Sequence, residues 1–108
     1  MLTDLLQDRR DGHRVSAELQ ARVYRNGRPT TYPVLELSRS GARLATPVGD
    51  ELPMVFWIEL ELPNDAPMRL RARTMWCDGP TSGIRFHDVG EVDSLVLAEG
   101  LDELSREA

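Results

Sequence analysis

The sequence predicts a mainly β domain: a six-stranded antiparallel barrel with a short N-terminal arm and a C-terminal helix. Short segments in which apolar and polar residues alternate recur along the chain, and this period of two is typical of half-buried strands. Turn signals separate the segments at intervals of about 8–12 residues, which favours a small sandwich or barrel. A barrel also closes its own sheet edges. From residue 91 the apolar residues take the spacing of a helix instead.

The first half of the chain carries three predicted strands. Apolar and polar side chains alternate strictly from Val15 to Tyr24, as in a strand with one face buried. Asn26-Gly27 follows and favours a two-residue hairpin turn. Pro33 marks a sheet edge or a bulge, because proline cannot donate a ladder hydrogen bond. The strands expected here cover 15–24, 31–37 and 42–46, with a turn at 38–41.

The second half carries three more strands and the helix. The segment 54–62 is rich in apolar and aromatic residues, and 68–77 alternates apolar residues with arginines. A short final strand is expected over 83–86, after the turn Asp78-Gly79-Pro80. We expect the apolar face of the helix, over 91–107, to cap the barrel, with a share of that face open to a partner.

The strand patterns also predict which large side chains fill the core. Aromatic residues on such patterns are assigned to the core by default, and methionines are expected to fill gaps. The lone cysteine is expected to behave as a small buried hydrophobe. The residues assigned to the core in this way are Met54, Phe56, Trp57, Met68, Met75, Trp76, Cys77 and Phe86.

Length and composition indicate one domain over 1–108. No segment approaches the roughly 18 apolar residues of a membrane span. The N-terminus has no basic segment followed by an apolar one, so no signal peptide is expected and we predict a cytoplasmic protein. A single cysteine excludes an internal disulfide and argues against a cysteine zinc site. We divide the domain into an arm with an arginine loop (1–14), the barrel (15–89) and the helix (90–108).

Charge is distributed unevenly along the chain. The formal net charge is −5, and every basic residue is an arginine. Eight of the 13 arginines lie between Arg9 and Arg43, with only three acidic residues among them. A net acidic chain is not expected to coat DNA or RNA, because such binding scales with the phosphates neutralised. A local basic patch fits a small anionic ligand better, although codon preference in a GC-rich genome also explains part of the arginine count.

Two short motifs concentrate chemistry that suits a nucleotide. Arg10 and Arg14 form R-x-x-x-R, and Glu36, Ser38 and Gly41 form E-x-S-x-x-G about 20 residues later. Guanidinium groups bind phosphate in a bidentate way and stack on flat rings. A carboxylate accepts hydrogen bonds from the N–H edge of guanine. The combination predicts a site for an anionic guanine nucleotide.

Simpler interpretations of the same residues stay open. The arginines would form a solvated loop, and Ser38 would bond its own backbone in an ordinary turn. Glu36 would then pair with Arg10 or Arg14 at the surface, which contributes little stability. A hydrolytic triad of Ser38 with His87-Asp88 lacks any nucleophile-elbow sequence. We therefore expect no catalytic residues and no metal ligands.

The chain resembles the PilZ domain family, small bacterial β-barrels that sense cyclic di-GMP. Arg10 and Arg14 match the R-x-x-x-R loop of the family, and Ser38 and Gly41 match its D/N-x-S-x-x-G turn. The likeness covers nearly the whole chain from Arg9 onwards. Its further marks are the Arg9-Arg10 doublet, Val15, the segment Gly41-Ala42-Arg43-Leu44 and the segment Gly83-Ile84-Arg85-Phe86.

The resemblance implies cyclic di-GMP as ligand and a role for each motif residue. The arginines of the loop would hold phosphates and stack on guanine, with Arg9 favouring a stacked pair of ligands. Ser38 would bond a phosphate or a base edge, and Gly41 would allow a close backbone approach and a turn of unusual φ. Arg43 would strengthen the positive field. The ligand residues implied are Arg9, Arg10, Arg14, Glu36, Ser38, Arg39 and Gly41.

Glu36 departs from the family pattern, which has Asp or Asn at this position. Glutamate keeps the carboxylate but adds a methylene, so its oxygens must fold back to reach the same guanine edge. A misplaced partner for a buried donor costs about 1–3 kcal/mol. This position therefore decides how tightly the predicted site binds.

The resemblance implies a receptor without enzymatic activity or a cofactor. Such a receptor would bind cyclic di-GMP and act by changing its contacts with a partner protein, as a monomer or a ligand-dependent dimer. Neither DNA nor RNA binding is expected, nor insertion into a membrane. The alternative is a ligand-independent PilZ-like adaptor that works by protein–protein contact in type IV pilus or motility systems.

Overall fold

The computed structural model describes residues 19–63 and 66–107 and shows six strands and one helix there. The predicted arm and arginine loop (1–14) and the start of the first predicted strand (15–18) lie outside the described residues. The predicted strands and the predicted helix are confirmed over the rest of the chain. In order they are β1 (Leu19–Arg25), β2 (Arg28–Leu37), β3 (Gly41–Ala45), β4 (Val55–Leu60), β5 (Met68–Asp78), β6 (Thr81–His87) and α1 (Glu91–Glu107).

The six strands form a closed antiparallel barrel in the order β1-β2-β3-β6-β5-β4. Most pairs join strands that are neighbours in sequence. Two pairs, β3 with β6 and β1 with β4, join strands far apart in the chain and close the sheet. The predicted six-stranded antiparallel barrel with a C-terminal helix is therefore confirmed.

The hairpin and the bulge predicted in the first half are both present. Asn26 and Gly27 have φ of 52° and 79°, and the residues that flank them pair with each other. Positive φ at both central positions is what the favoured two-residue hairpin turn requires. Pro33 lies just before Val34, where β2 begins to pair with β3 and where the register shifts by a bulge.

The inward-facing side chains of all strands fill the barrel. Ala21 and Val23 on β1 and Ile58 on β4 are fully buried. Burial of a large aliphatic or aromatic side chain contributes about 1.5–3 kcal/mol, so this layer supplies most of the stability of the domain. Three of the core assignments are confirmed, because Phe56, Met68 and Phe86 are buried.

The core assignments of Trp57 and Met54 are wrong. Phe56 and Ile58 face the interior, so the alternation of β4 turns Trp57 outward, where 45% of it is exposed. The guanidinium carbon of Arg71 lies 5.1 Å from the centroid of the Trp57 ring, a cation–π contact that holds the indole on the outer surface. Met54 precedes the strand and is 74% exposed.

A β-bulge overturns the core assignments at the end of β5. Thr74 pairs with Ile84 and Trp76 pairs with Gly83, so Met75 is an extra residue between two consecutive pairs. An extra residue changes the phase of the alternation and re-aims the side chains that follow. Trp76 and Met75 are consequently 45% and 52% exposed, and Cys77 is exposed as well.

The helix α1 caps the barrel through one face and leaves the other open. Three leucines of the helix are buried, and Gly100 approaches the segment after β4 so closely that a Cβ there would lie 2.9 Å from Leu62 Cδ1. Val92 and Leu95, by contrast, are 73% and 66% exposed. The predicted capping is confirmed, and these two residues are the part of the apolar face that remains open. The buried leucines are Leu97, Leu101 and Leu104.

Gly41 lies at the start of β3, where the backbone of β6 approaches closely. A Cβ at this position would overlap the Ile84 carbonyl oxygen and would lie 3.1 Å from Arg85 Cα. The absence of a Cβ at Gly41 therefore allows a close backbone approach, which in the structure is that of β6, whereas the predicted approach of a ligand stays a prediction. The predicted unusual φ is wrong: Gly41 begins β3, and its φ is not positive.

A partly buried polar network links the β1–β2 hairpin to Asp50, in the segment between β3 and β4. The Tyr32 hydroxyl, on a side chain 2% exposed, donates to Asp50 Oδ2 at 2.9 Å. Asp50 Oδ1 lies 3.0 Å from Arg25 Nη2. Burial raises the pKa of the Tyr32 phenol, and the hydrogen bond to Asp50 raises it further.

We expect Gly41→Ala to lower the free energy of unfolding by about 2 kcal/mol, because the new methyl meets backbone that cannot rotate away. Urea unfolding followed by circular dichroism measures this. Gly90→Ala is the matched control, since a Cβ there meets nothing within 4 Å and should change stability by less than about 1 kcal/mol. Equal losses in both variants would contradict the close approach.

We expect the stability of the folded protein to fall at alkaline pH through Tyr32. A phenol with a raised folded-state pKa keeps its proton when the unfolded chain begins to lose it near pH 10.0. Its contribution is therefore complete below that pH and is lost as pH rises towards the folded-state pKa. Tyr32→Phe should flatten this loss in urea unfolding at increasing pH, whereas Tyr24→Phe should retain it.

Candidate functional site

An open cleft of about 270 Å³ lies on the outside of the barrel where β3 and β6 meet. The end of β2, the turn after it and the start of β3 form one wall. The bulged end of β5 and the middle of β6 form the other. The cleft residues are Glu36, Leu37, Ser38, Ser40, Gly41, Ala42, Arg43, Met75, Trp76, Gly83, Ile84 and Arg85.

Hydrogen bonds within the turn from Ser38 to Gly41 shape the first wall. The Ser38 N–H donates to the Gly41 carbonyl at 2.9 Å. The Ser38 hydroxyl accepts the Ser40 N–H and donates to the same carbonyl, both at 3.3 Å. The Ser40 carbonyl accepts the Phe86 N–H at 2.8 Å, which ties the turn to β6. The ordinary-turn interpretation of Ser38 is therefore confirmed, and it leaves the hydroxyl oxygen at the edge of the cleft.

Glu36 pairs with Arg43 across β2 and β3. Arg43 Nε lies 3.4 Å from Glu36 Oε1, and both side chains are about one-third exposed. An ion pair with this exposure contributes about 0–1 kcal/mol. Its main effect is electrostatic, because Glu36 compensates the charge by which Arg43 was expected to strengthen the positive field. Arg10 and Arg14, the partners considered for Glu36 from sequence, lie outside the described residues.

Arg39 does not line the cleft. Its side chain is exposed, and Nη2 lies 3.4 Å from Ser94 Oγ in the first turns of α1. The structure therefore brings together Glu36, Ser38 and Gly41 but directs Arg39 towards the helix. Arg9, together with Arg10 and Arg14, belongs to the segment that the structure does not describe.

Trp76 is a cleft residue that sequence reasoning placed in the core. Its indole packs against Gly83 on β6, where a Cβ would overlap the ring, with Cζ2 only 2.6 Å away. Glycine at position 83 thus makes the room that the indole occupies. An exposed aromatic ring in an open cleft is a stacking platform for a base, a contact worth about 1–3 kcal/mol. Only the bulge, which the alternating pattern does not reveal, distinguishes this position from a core tryptophan.

Arg85 is the second cleft residue that sequence reasoning missed. It is exposed, pairs with Gly41 on one side and faces Arg73 on the other. Among the described residues no carboxylate lies within 4.0 Å of Arg85. Since Arg43 is compensated by Glu36, Arg85 supplies the positive charge of the described part of the cleft.

The other candidate chemistry of the sequence lies away from the cleft. His87 Nδ1 lies 3.3 Å from Asp88 Oδ2, and neither residue lines the cleft beside Ser38. In the described ranges no cluster of three or more His, Cys, Asp or Glu side chains is placed to hold a metal ion. The helix in the described part of the chain is too short and too polar to cross a bilayer.

Known structures share this architecture at low sequence identity. The PilZ domain of YcgR from Escherichia coli, solved with c-di-GMP, gives a TM-score of 0.69 at 18% identity over 87% of this chain and 89% of that chain. The Legionella protein Lpg0364 gives 0.68 at 20% identity over 87% and 95%. The Bacillus subtilis inhibitor of motility MotI/DgrA gives 0.73 at 11% identity, over 87% of this chain and 50% of that one. These similarities show the fold.

Sequence comparison supplies the family. No curated protein matches the chain significantly. The family model described as the PilZ domain matches residues 8–103, which is most of the chain and includes both motifs. Together with the closed six-stranded barrel, this match shows that the chain belongs to the PilZ domain family.

Proposed function

We propose that this chain is a receptor for cyclic di-GMP that acts by changing its contacts with a partner protein. The observation that carries the proposal is the cleft, in which an exposed indole and an uncompensated guanidinium flank the E-x-S-x-x-G turn. The indole would stack on a base, and the guanidinium would bind a phosphate. PilZ domains are regulatory receptor or adaptor domains rather than enzymes, and the YcgR domain was solved with this nucleotide.

We infer that the cleft takes part of the dinucleotide and that the arginine loop covers the rest. The cleft volume of about 270 Å³ lies just below the range of about 300–1,000 Å³ for pockets that enclose a whole small molecule. Leu19, the first described residue, pairs with Val34, two residues before Glu36. Arg14 precedes Leu19 by five residues, a length of chain that spans up to about 17 Å. The R-x-x-x-R motif therefore has the reach to close over a ligand in the cleft.

Three cleft residues and the three arginines of the loop have distinct roles in this proposal. Trp76 stacks on one guanine, Arg85 attracts the phosphates, and Ser38 bonds a phosphate or the base edge. Arg10 and Arg14 hold the outer phosphate and the second guanine face. Arg9 would favour two stacked ligands per chain.

Guanine and Arg43 would compete for the Glu36 carboxylate. To accept the guanine N–H edge, this carboxylate must rotate away from Arg43, whose Nε lies 3.4 Å from Glu36 Oε1. Arg43 would then be released towards the phosphates. Loss of the pair with Arg43 costs little, since a pair about one-third exposed contributes about 0–1 kcal/mol.

The turn from Ser38 to Gly41 would transmit the effect of ligand binding to the rest of the surface. The turn is bonded to β6 by Ser40 and to α1 by the contact of Arg39 with Ser94. Ordering of a segment over the turn would change the surface offered to a partner protein, a common form of switching. We place the protein in the cytoplasm, where it would meet the nucleotide. In this proposal it needs no cofactor and binds neither DNA nor RNA.

A ligand-independent adaptor is the second candidate function. The pairing of Glu36 with Arg43 favours it, because the carboxylate that would read guanine is already occupied. In this case the barrel acts through protein–protein contact alone, in type IV pilus or motility systems.

We expect isothermal titration with cyclic di-GMP to show micromolar or tighter binding to the wild-type protein. Arg10→Ala should abolish the binding, and Trp76→Ala should weaken it by about tenfold or more through loss of stacking. Trp57→Ala is the matched control, because its indole is equally exposed but lies outside the cleft. Absence of binding by the wild-type protein would reject the receptor, and equal effects of both tryptophan variants would reject the cleft as the site.

We expect Glu36→Asp to strengthen the binding of cyclic di-GMP. The shorter carboxylate restores the family residue and is better placed for the guanine edge. It also reaches Arg43 less easily, so Arg43 competes less with the ligand. A gain of about 5- to 150-fold corresponds to the 1–3 kcal/mol assigned to a misplaced partner. The same titration measures it, and an unchanged or weaker affinity would show that the barrel already accommodates glutamate.

A further inference from the structure

The outer surface of β4 and β5 carries exposed arginines and apolar side chains that the proposed function does not use. Arg71 lies opposite Trp57, and Arg73 lies opposite Val55. Trp57 and Val55 are 45% and 41% exposed. We define these four residues as the basic face. Tryptophan and arginine are the side chains most enriched in the energetic centres of protein interfaces.

Positive charge on the basic face is not compensated by the described residues. No described carboxylate lies within 4.0 Å of Arg71 or Arg73, whereas the neighbouring Arg69 reaches Glu59 at 4.0 Å. Arg73 also lies directly opposite Arg85. Like charges in this position destabilise a sheet. An anionic surface docked on this face would relieve the repulsion.

The outer face of α1 has the complementary character. Val92 and Leu95 are the most exposed apolar residues of the helix, and Glu99 and Asp102 are exposed beside them. Steps of three, four and three residues place all four on one side of a helix, and we define them as the acidic stripe. The chain from 91 to 105 contains five acidic residues and no basic one.

The two surfaces also match in arrangement. The acidic stripe covers residues 92–102, about 15 Å of helix at the usual rise, with its two aliphatic side chains at one end and its two carboxylates at the other. On the basic face the apolar side chains lie on β4 and the arginines lie opposite them on the neighbouring β5. A helix that crosses the two strands can therefore bring its aliphatic side chains to Trp57 and Val55 and its carboxylates to the arginines.

We propose that the basic face of one copy of this chain binds the acidic stripe of a second copy. Within one molecule the two do not meet, because the buried side of α1 packs over the end of the barrel at Leu62 and turns the stripe to solvent. A nucleic acid fits less well, since the net charge is −5 and the acidic helix repels phosphate. The contact joins unlike patches, so it extends into longer assemblies unless two copies reciprocate it. It does not depend on nucleotide binding.

Sedimentation velocity of the full chain over a range of concentrations tests the proposal directly. The wild-type protein should associate, and the association should weaken as salt rises from about 0.05 to 0.5 M, because salt screens exposed charges. Arg71→Glu and Glu99→Arg should each raise the dissociation constant by about tenfold or more. Arg28→Glu and Glu51→Arg are controls of equal charge change at exposed positions outside both surfaces and should change it by less than about twofold.

An equimolar mixture of Arg71→Glu and Glu99→Arg provides the decisive experiment. In this mixture the unchanged face of Glu99→Arg can meet the unchanged stripe of Arg71→Glu, and the two reversed surfaces can meet each other. The mixture should therefore associate more strongly than either variant does alone. Recovery would also show that both variants are folded. A monomeric wild-type protein at all concentrations, equal weakening by the controls, or no recovery in the mixture would each overturn the proposal.

Discussion

The close approach of β3 to β6 at Gly41 is the constraint on which the rest of the structure depends. Without a Cβ at this position the two backbones come together over the Ile84 carbonyl, and the pair joins residues that lie 36 to 44 positions apart in the chain. That pairing closes the barrel and at the same time forms the base of the cleft. The glycine of the E-x-S-x-x-G motif therefore serves the fold first, and the site follows from the fold.

The second determinant of the site is the bulge in β5. One extra residue at Met75 turns Trp76 out of the barrel and onto Gly83, so an aromatic ring and the turn come to share one cleft. Electrostatics complete the arrangement. Because Glu36 compensates Arg43, the positive charge available in the described cleft comes from Arg85. The exposed indole and the positive charge of the described cleft thus come from strands that carry neither motif.

Much of the barrel could be predicted from the sequence, because alternation and turn residues are local signals. Asn26-Gly27, the bulge beside Pro33 and the three helix leucines lie where those signals placed them. The sequence pattern does not reveal which face of a strand is inside once a bulge intervenes, and Trp76 was assigned to the core for that reason. Trp57 was misassigned because its apolarity outweighed its position between Phe56 and Ile58. Arg85 was missed because its role depends on the pairing of β6 with β3, a long-range contact without a local signature.

The central claim is that the cleft between β3 and β6 is where a nucleotide binds, and the two tryptophans allow a direct test. Trp76 lies in the cleft, and Trp57 lies on the basic face outside it. Their indole N–H groups give separate signals in a ¹H–¹⁵N spectrum of dilute protein titrated with cyclic di-GMP. We predict that the Trp76 signal shifts to saturation while the Trp57 signal stays in place. A spectrum in which neither signal moves, or in which only Trp57 moves, would contradict the claim.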